Sequence, residues 1–230
     1  MSFTYNNIFQ THKSINYINS KPKIQNAVKS WLRYTNKFKY FLYDDSMCEI
    51  FMRNIGGDIY TAYNRLPLKV MKADLWRYCI IYEYGGIYAD TDTICKVDPS
   101  IFLNDSLLTI VPENNIHLCQ WVFSAPPKSP ILKSVIDLSV KRILEIKEIR
   151  GEHIIHYLTG PAVFTDGIEL YLQKNNYPIF ANNRKMYFNY SLPNILRVFN
   201  YNNFHKNIVK HIFLGQDNDG WTKERDRLLK

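Results

Sequence analysis

Residues 68–84 read as one helix, and two consecutive glycines stop it. Ala73, Trp76, Ile80 and Tyr84 fall at helical spacing and are predicted to face a core. A short strand, 87–89, follows Gly85-Gly86 at once and runs into Asp90-Thr91-Asp92. A helix that hands over to a strand across one glycine pair must pack back on the sheet that the strand joins. The rest of the chain keeps that alternation. Strands are expected at 8–11, 39–43, 107–111 and 208–213, and helices at 21–34, 46–54, 130–149 and from Pro161 onward. Gly56-Gly57 is read as the stop of the second of these helices. The predicted class is therefore α/β, with a mostly parallel central sheet and flanking helices. A length of 230 residues, with no repeat and no low-complexity linker, points to a single domain over 1–230.

Composition narrows the function classes. No stretch reaches the roughly 18 apolar residues of a membrane span, and Met1-Ser2-Phe3-Thr4-Tyr5-Asn6-Asn7 has neither the basic region nor the apolar core of a secretory leader. A cytoplasmic protein is expected. Cys48, Cys79, Cys95 and Cys119 form no CxxC and no zinc spacing, so they are expected to be reduced and buried. The abundance of Lys, Asn, Ile and Tyr beside scarce Ala is that of an AT-rich genome, viral or bacterial. The net charge of +8 admits nucleic acid, an anionic membrane or a phosphorylated small molecule as partner. Lys206, Lys210, Lys223, Arg225 and Arg227 cluster late, as a nucleic-acid-binding module would have them. Against that class, the other basic residues are dispersed, and there is no helix-turn-helix, zinc-finger or RRM signature. Hydrolase chemistry lacks a nucleophile elbow or a Cys/His motif.

Ligands of open α/β sheets bind at the carboxyl ends of the strands. Asp44-Asp45, Asp90/Asp92 and 216–221 all follow expected strands, which would gather them at one sheet edge. In an extended segment Asp90 and Asp92 would point the same way. Two such carboxylates suit a hard divalent cation, Mg²⁺ or Mn²⁺, which in turn can hold a diphosphate. Spacing alone is weak, because Asp217-Asn218-Asp219 is a second match with the composition of a turn. Asp74 and Arg77, three apart on the predicted helix, share a face. They are either a local surface ion pair or a contact to phosphate and sugar oxygens.

Lys72-Ala73-Asp74-Leu75-Trp76-Arg77-Tyr78 followed by Tyr84-Gly85-Gly86-Ile87-Tyr88-Ala89-Asp90-Thr91-Asp92 resembles the signature of DXD sugar transferases. The group it most resembles is glycosyltransferase family 32, with the yeast initiating mannosyltransferases and the α-1,4-galactosyltransferases; the catalytic domains of clostridial glucosylating toxins are similar. Further echoes cover most of the chain. Ile8-Phe9-Gln10-Thr11-His12-Lys13 resembles the opening strand, and Tyr43-Asp44-Asp45 the second. Phe123-Ser124-Ala125-Pro126 and Thr159-Gly160-Pro161 resemble later elements, and the stretch from His211 to Gly220-Trp221 resembles the C-terminal one.

The resemblance implies a GT-A (Rossmann-like) fold and a metal-dependent glycosyltransferase that retains anomeric configuration. The sugar would pass from a UDP- or GDP-linked donor to a hydroxyl acceptor such as a glycan, with Mn²⁺ or Mg²⁺ as cofactor and no nucleic acid as partner. Carried over by position, Asp90, Asp92 and Arg77 form the catalytic set. Asp74, Arg77, Tyr88, Asp90, Trp221, Gln10 and Thr11 line the donor, and Asp92, Asp90 and His211 hold the metal. The chain departs from the family at His12, where a Trp that can stack on the base is common. It departs again near Gln120, where relatives carry an Asn, and at Asp219-Gly220-Trp221 in place of Gly-Ser-Trp. A catalytically inactive relative that binds sugar nucleotides is the alternative within the family, and the intact carboxylate pair argues against it.

Overall fold

A computed structural model describes residues 5–114, 116–178, 191–212 and 226. Among these residues six strands form one sheet and two more form a small ribbon. The chain opens with β1 (Asn7–Thr11), passes through α1 (Ile15–Ser20) and α2 (Pro22–Leu32), and enters β2 (Lys39–Tyr43). Three helices follow, α3 (Asp45–Ile55), α4 (Gly57–Arg65) and α5 (Lys69–Tyr84), and then β3 (Gly86–Ala89) and β4 (Thr93–Cys95). The second half holds β5 (Leu108–Ile110), β6 (Val122–Ala125), α6 (Pro130–Glu145), α7 (Ile154–Leu158), α8 (Pro161–Lys174), β7 (Leu196–Val198) and β8 (Val209–His211).

The sheet order is β2-β1-β3-β6-β5-β7. The pairs β1/β2, β1/β3 and β5/β7 are parallel, and only β6 runs against its neighbours. The mainly parallel α/β sheet with flanking helices is thus as expected. Alternation along the central strands supplies both cores. Phe9, Tyr88 and Phe123 enter the cluster formed with α3–α8. Ile8, Ile87 and Val122 enter the opposite cluster, with Trp31 of α2.

Several details differ from the sequence reading. Gly56-Gly57 ends α3 but also begins α4, which that reading missed. Gly56 adopts φ +69 and redirects the chain by one residue, so a second helix can start immediately. The short strands β4, β6 and β7 carry too few residues to show periodicity, and all three are defined by their partners. Helix α5 is also more central than an amphipathic surface helix. Its residues Asp74 to Ile81 are all buried, while Tyr84 is half exposed at its end, against the core position expected for it. The four cysteines are buried and unbridged.

The glycine pair between α5 and β3 has a steric reason beyond ending a helix. Gly86 has φ +116, and a Cβ there would lie 2.5 Å from the Asn7 carbonyl oxygen. Asn7 reciprocates by donating from its side chain to the carbonyls of Tyr84 and Gly85. Strand β3 therefore enters the sheet beside β1 only because no side chain separates the two backbones. Gly86→Ala is expected to lower stability by about 1–3 kcal/mol, read as a lower urea midpoint at unchanged slope.

Candidate functional site

Strand β3 ends at Ala89, and the next residues turn sharply: Thr93 N–H donates to the Asp90 carbonyl at 3.1 Å. Asp90 and Asp92 therefore converge through a tight turn, not through the alternation of an extended strand on which the sequence argument relied. The Asp90 carbonyl also accepts from Thr93 Oγ1 at 2.6 Å and from Gln10 Nε2 at 3.0 Å, and its N–H donates to Trp121 O. On the far side of the turn, Trp31 Nε1 donates to the Thr93 carbonyl at 3.0 Å. The turn is thus held from β1, β6 and α2 together.

Strand β8 pairs antiparallel with β4, which sets His211 opposite Thr93. His211 Nε2 lies 3.0 Å from Asp92 Oδ1, and its ring packs at a tilt against Trp121 with centroids 4.6 Å apart. One ligand atom each from Asp90, Asp92 and His211 fits within a 4.8 Å group. Two hard carboxylates and an imidazole are a donor set that suits Mn²⁺ or Mg²⁺. Burial disfavours the His211 imidazolium, yet the hydrogen bond and charge of Asp92 outweigh it and raise the His211 pKa. A cation would replace that proton.

Behind the turn lies a buried ion network. Arg77 Nη2 is 2.9 Å from Asp74 Oδ1 and Arg77 Nη1 is 3.4 Å from Asp90 Oδ1. The guanidinium sits over the Tyr88 ring at 4.6 Å, and the Tyr88 hydroxyl donates to Asp90 Oδ1. Asp74 and Arg77 are 2% and 5% exposed, so the pair is not the surface ion pair that spacing alone allowed. Asp74 is further satisfied by Thr159 Oγ1 at 3.0 Å and by Gln120 Nε2 at 3.3 Å. Burial raises the carboxyls of Asp74 and Asp90, with Arg77 pulling both down. Burial also works against the Arg77 charge, but Asp90, Tyr88 and Asp74 more than compensate and keep it protonated.

Asp74, Arg77, Tyr88, Asp90, Asp92 and His211 are thus brought together. Gln10 is fully buried, with its amide divided between Tyr40 and the Asp90 backbone, so here it positions the turn. Thr11 donates to the Tyr43 carbonyl at 3.0 Å. Asp44 caps α3 and Asp45 pairs with Lys69, so neither joins the cluster. Trp221 and the second DxD at 217–219 lie outside the described residues. Two participants were missed as such. Thr159 had been noted only as part of Thr-Gly-Pro. Glu113 follows β5, and the rule that singled out carboxylates after strands would have found it.

Arg77 is the counter-charge of the buried Asp74 and of the partly buried Asp90, so Arg77→Ala should destabilise the protein by about 3–5 kcal/mol with no substrate present. Losing the guanidinium raises the folded pKa values of Asp74 and Asp90 further above their unfolded values of about 4. The variant's stability should therefore be highest in acid and fall as pH rises from about 4 toward neutrality, which urea melts across pH would show.

Residues 21–115 match the glycosyltransferase sugar-binding region containing the DXD motif. The initiation-specific alpha-1,6-mannosyltransferase of Candida albicans is 23% identical over 218 residues, covering 78% of this chain and 56% of the relative. The Schizosaccharomyces pombe protein of the same description is 26% identical over 190 residues, covering 70% and 48%. An uncharacterized glycosyltransferase of Acanthamoeba polyphaga mimivirus is 24% identical over 142 residues, covering 60% and 54%. The chain spans about half the length of these relatives. In fold it is similar to the PaToxG glycosyltransferase, with a TM-score of 0.53 at 16% identity over 73% of this chain and 69% of that one. The turn that carries Asp90 and Asp92 and the helix that carries Asp74 and Arg77 both fall inside the matched segment, so over residues 21–115 this chain is similar to the sugar-binding region of the DXD-motif glycosyltransferases.

Proposed function

We propose that the protein is a metal-dependent, retaining hexosyltransferase that moves a sugar from a UDP- or GDP-linked donor to a hydroxyl of a glycan or similar acceptor. Mannose is the first candidate for the sugar, because the similar fungal proteins are described as mannosyltransferases. The observation that carries the reading is the Asp90–Asp92–His211 group, set at the end of β3 and backed by Arg77. Residues 1–230 are read as one catalytic domain.

In this reading Asp90, Asp92 and His211 hold the cation. A bound Mn²⁺ or Mg²⁺ supplies charge neutralisation for the diphosphate. Arg77 adds a fixed positive charge that needs no reorganisation, because Asp74 and Tyr88 already orient it. Asp74, buried and engaged by Arg77, Thr159 and Gln120, acts through the guanidinium it orients and not by touching the sugar, and Trp221 closes over the diphosphate with its indole N–H as donor. The acceptor hydroxyl attacks on the face that the nucleoside diphosphate leaves, and a phosphate oxygen takes its proton. That course needs no protein base, and it follows from the family resemblance.

Two measurements test this. Asp92→Asn should abolish donor turnover while the protein stays folded, and EDTA should do the same reversibly, with Mn²⁺ restoring activity. Full turnover in the variant or in EDTA overturns the reading. A thermal-shift panel of nucleotide sugars with Mn²⁺ should single out one donor, since a ligand at 100 times its Kd stabilises by about 2.7 kcal/mol.

A further inference from the structure

Glu113 lies on the loop that leaves β5, at the same sheet edge as the Asp90 turn. The loop is closely held. Pro112 bridges Leu118, the Glu113 N–H donates to the His117 carbonyl at 2.9 Å, and Asn114 Oδ1 accepts from the backbone of Ile116 and His117. Leu118 N–H in turn donates to Thr165 Oγ1 of α8 at 2.9 Å. A loop pinned at these points holds its acidic side chain in one place.

That side chain is unusual in two respects. Its Oε2 is buried and accepts no hydrogen bond among the described residues. The charges it feels are those of the candidate site, His211, Asp90 and Arg77. Neither cation is paired with it: Arg77 engages Asp74 and Asp90, and His211 engages Asp92 through Nε2. Burial without a partner pushes the Glu113 carboxyl up to about 7. Buried carboxyl oxygens without a donor are rare because each costs about 1–3 kcal/mol or more. One that persists beside a site is explained when a ligand supplies the donor. A sugar hydroxyl is such a donor, and a metal-held diphosphate is not.

We propose that Glu113 is a specificity-determining residue of the transfer reaction, whose carboxyl oxygen accepts a hydrogen bond from a hydroxyl of the donor hexose. The proposal rests on the reading of the adjacent group as a donor-sugar site. It assigns Glu113 to the sugar and not to the nucleotide. A site built around a hydrogen bond discriminates against ligands that lack the matching hydroxyl far more strongly than an apolar wall does.

The test compares wild type, Glu113→Ala and Glu113→Gln at fixed Mn²⁺, by calorimetry with GDP-mannose and GDP and, in parallel, with UDP-glucose and UDP. For the nucleotide sugar that wild type binds, Glu113→Ala should weaken binding about tenfold or more, while affinity for the matching nucleoside diphosphate changes less than about twofold. Glu113→Gln keeps an acceptor oxygen and should recover most of the loss. Because Glu113 Oε2 has no hydrogen-bond partner among the described residues, both variants should melt at or above the wild-type temperature. Equal losses for sugar nucleotide and diphosphate overturn the proposal, since they would mean a general charge effect. No loss for either ligand overturns it too, as does a clear drop in melting temperature, which would mark a structural role. If wild type itself binds neither nucleotide sugar, the proposed function fails and this inference with it.

Discussion

The guanidinium of Arg77 is held between the carboxylates of Asp74 and Asp90 and sits over the Tyr88 ring. Asp74, Arg77 and Tyr88 are withdrawn from water and Asp90 is partly so, and each therefore depends on the others for its charge state. Asp74 draws Thr159 and Gln120 toward α5, which ties the start of α8 and the approach to β6 to the same point. Tyr78, one residue on from Arg77, donates to the Thr159 carbonyl at 2.7 Å and packs on Phe164. Asp90 is the first residue of the turn that presents Asp92. One network therefore joins the segment similar to DXD glycosyltransferases to helices more than sixty residues downstream.

The arrangement also separates two electrostatic tasks. Arg77 is a permanent positive charge deep in the site, oriented in advance by its neighbours. The Asp90–Asp92–His211 group sits further out, and its two carboxylates leave it net negative whether or not His211 carries a proton, as a group that could hold a cation must be. The edge thus presents a fixed cation beside a carboxylate–imidazole group that could hold a metal ion. The broader charge of +8 is not needed for this, because most of the basic residues lie elsewhere in the chain.

Much of the fold was legible in the sequence because its elements announce themselves locally. Helices α5 and α6 are long and periodic, β1 and β2 are bounded by polar residues, and Gly85-Gly86 marks the handover to β3. The missed pieces are short. Strands β4, β6 and β7 have three or four residues each, and α4 begins where a glycine pair looked like a simple stop. The DXD stretch was legible as a motif, but its geometry was not: an extended segment was assumed where a turn brings the carboxylates together. The role of Gln10 was equally hidden, since only the paired strands show that its amide supports the Asp90 carbonyl.

The sequence by itself determined the order of helix, glycine pair, strand and aspartates, and hence the α/β class and the segment that resembles sugar transferases. These are local properties, set by side-chain periodicity, backbone freedom at glycine and the identity of neighbouring residues. The tertiary structure decided what those residues do to one another. His211 reaches Asp92 across 119 positions because β8 pairs with β4, and Asp74 with Arg77 becomes a buried network instead of a surface pair. Glu113 Oε2 is left without a donor among the described residues by the same packing. Burial, charge pairing and proton affinity arise only when distant segments exclude water together, and no spacing along the chain encodes them.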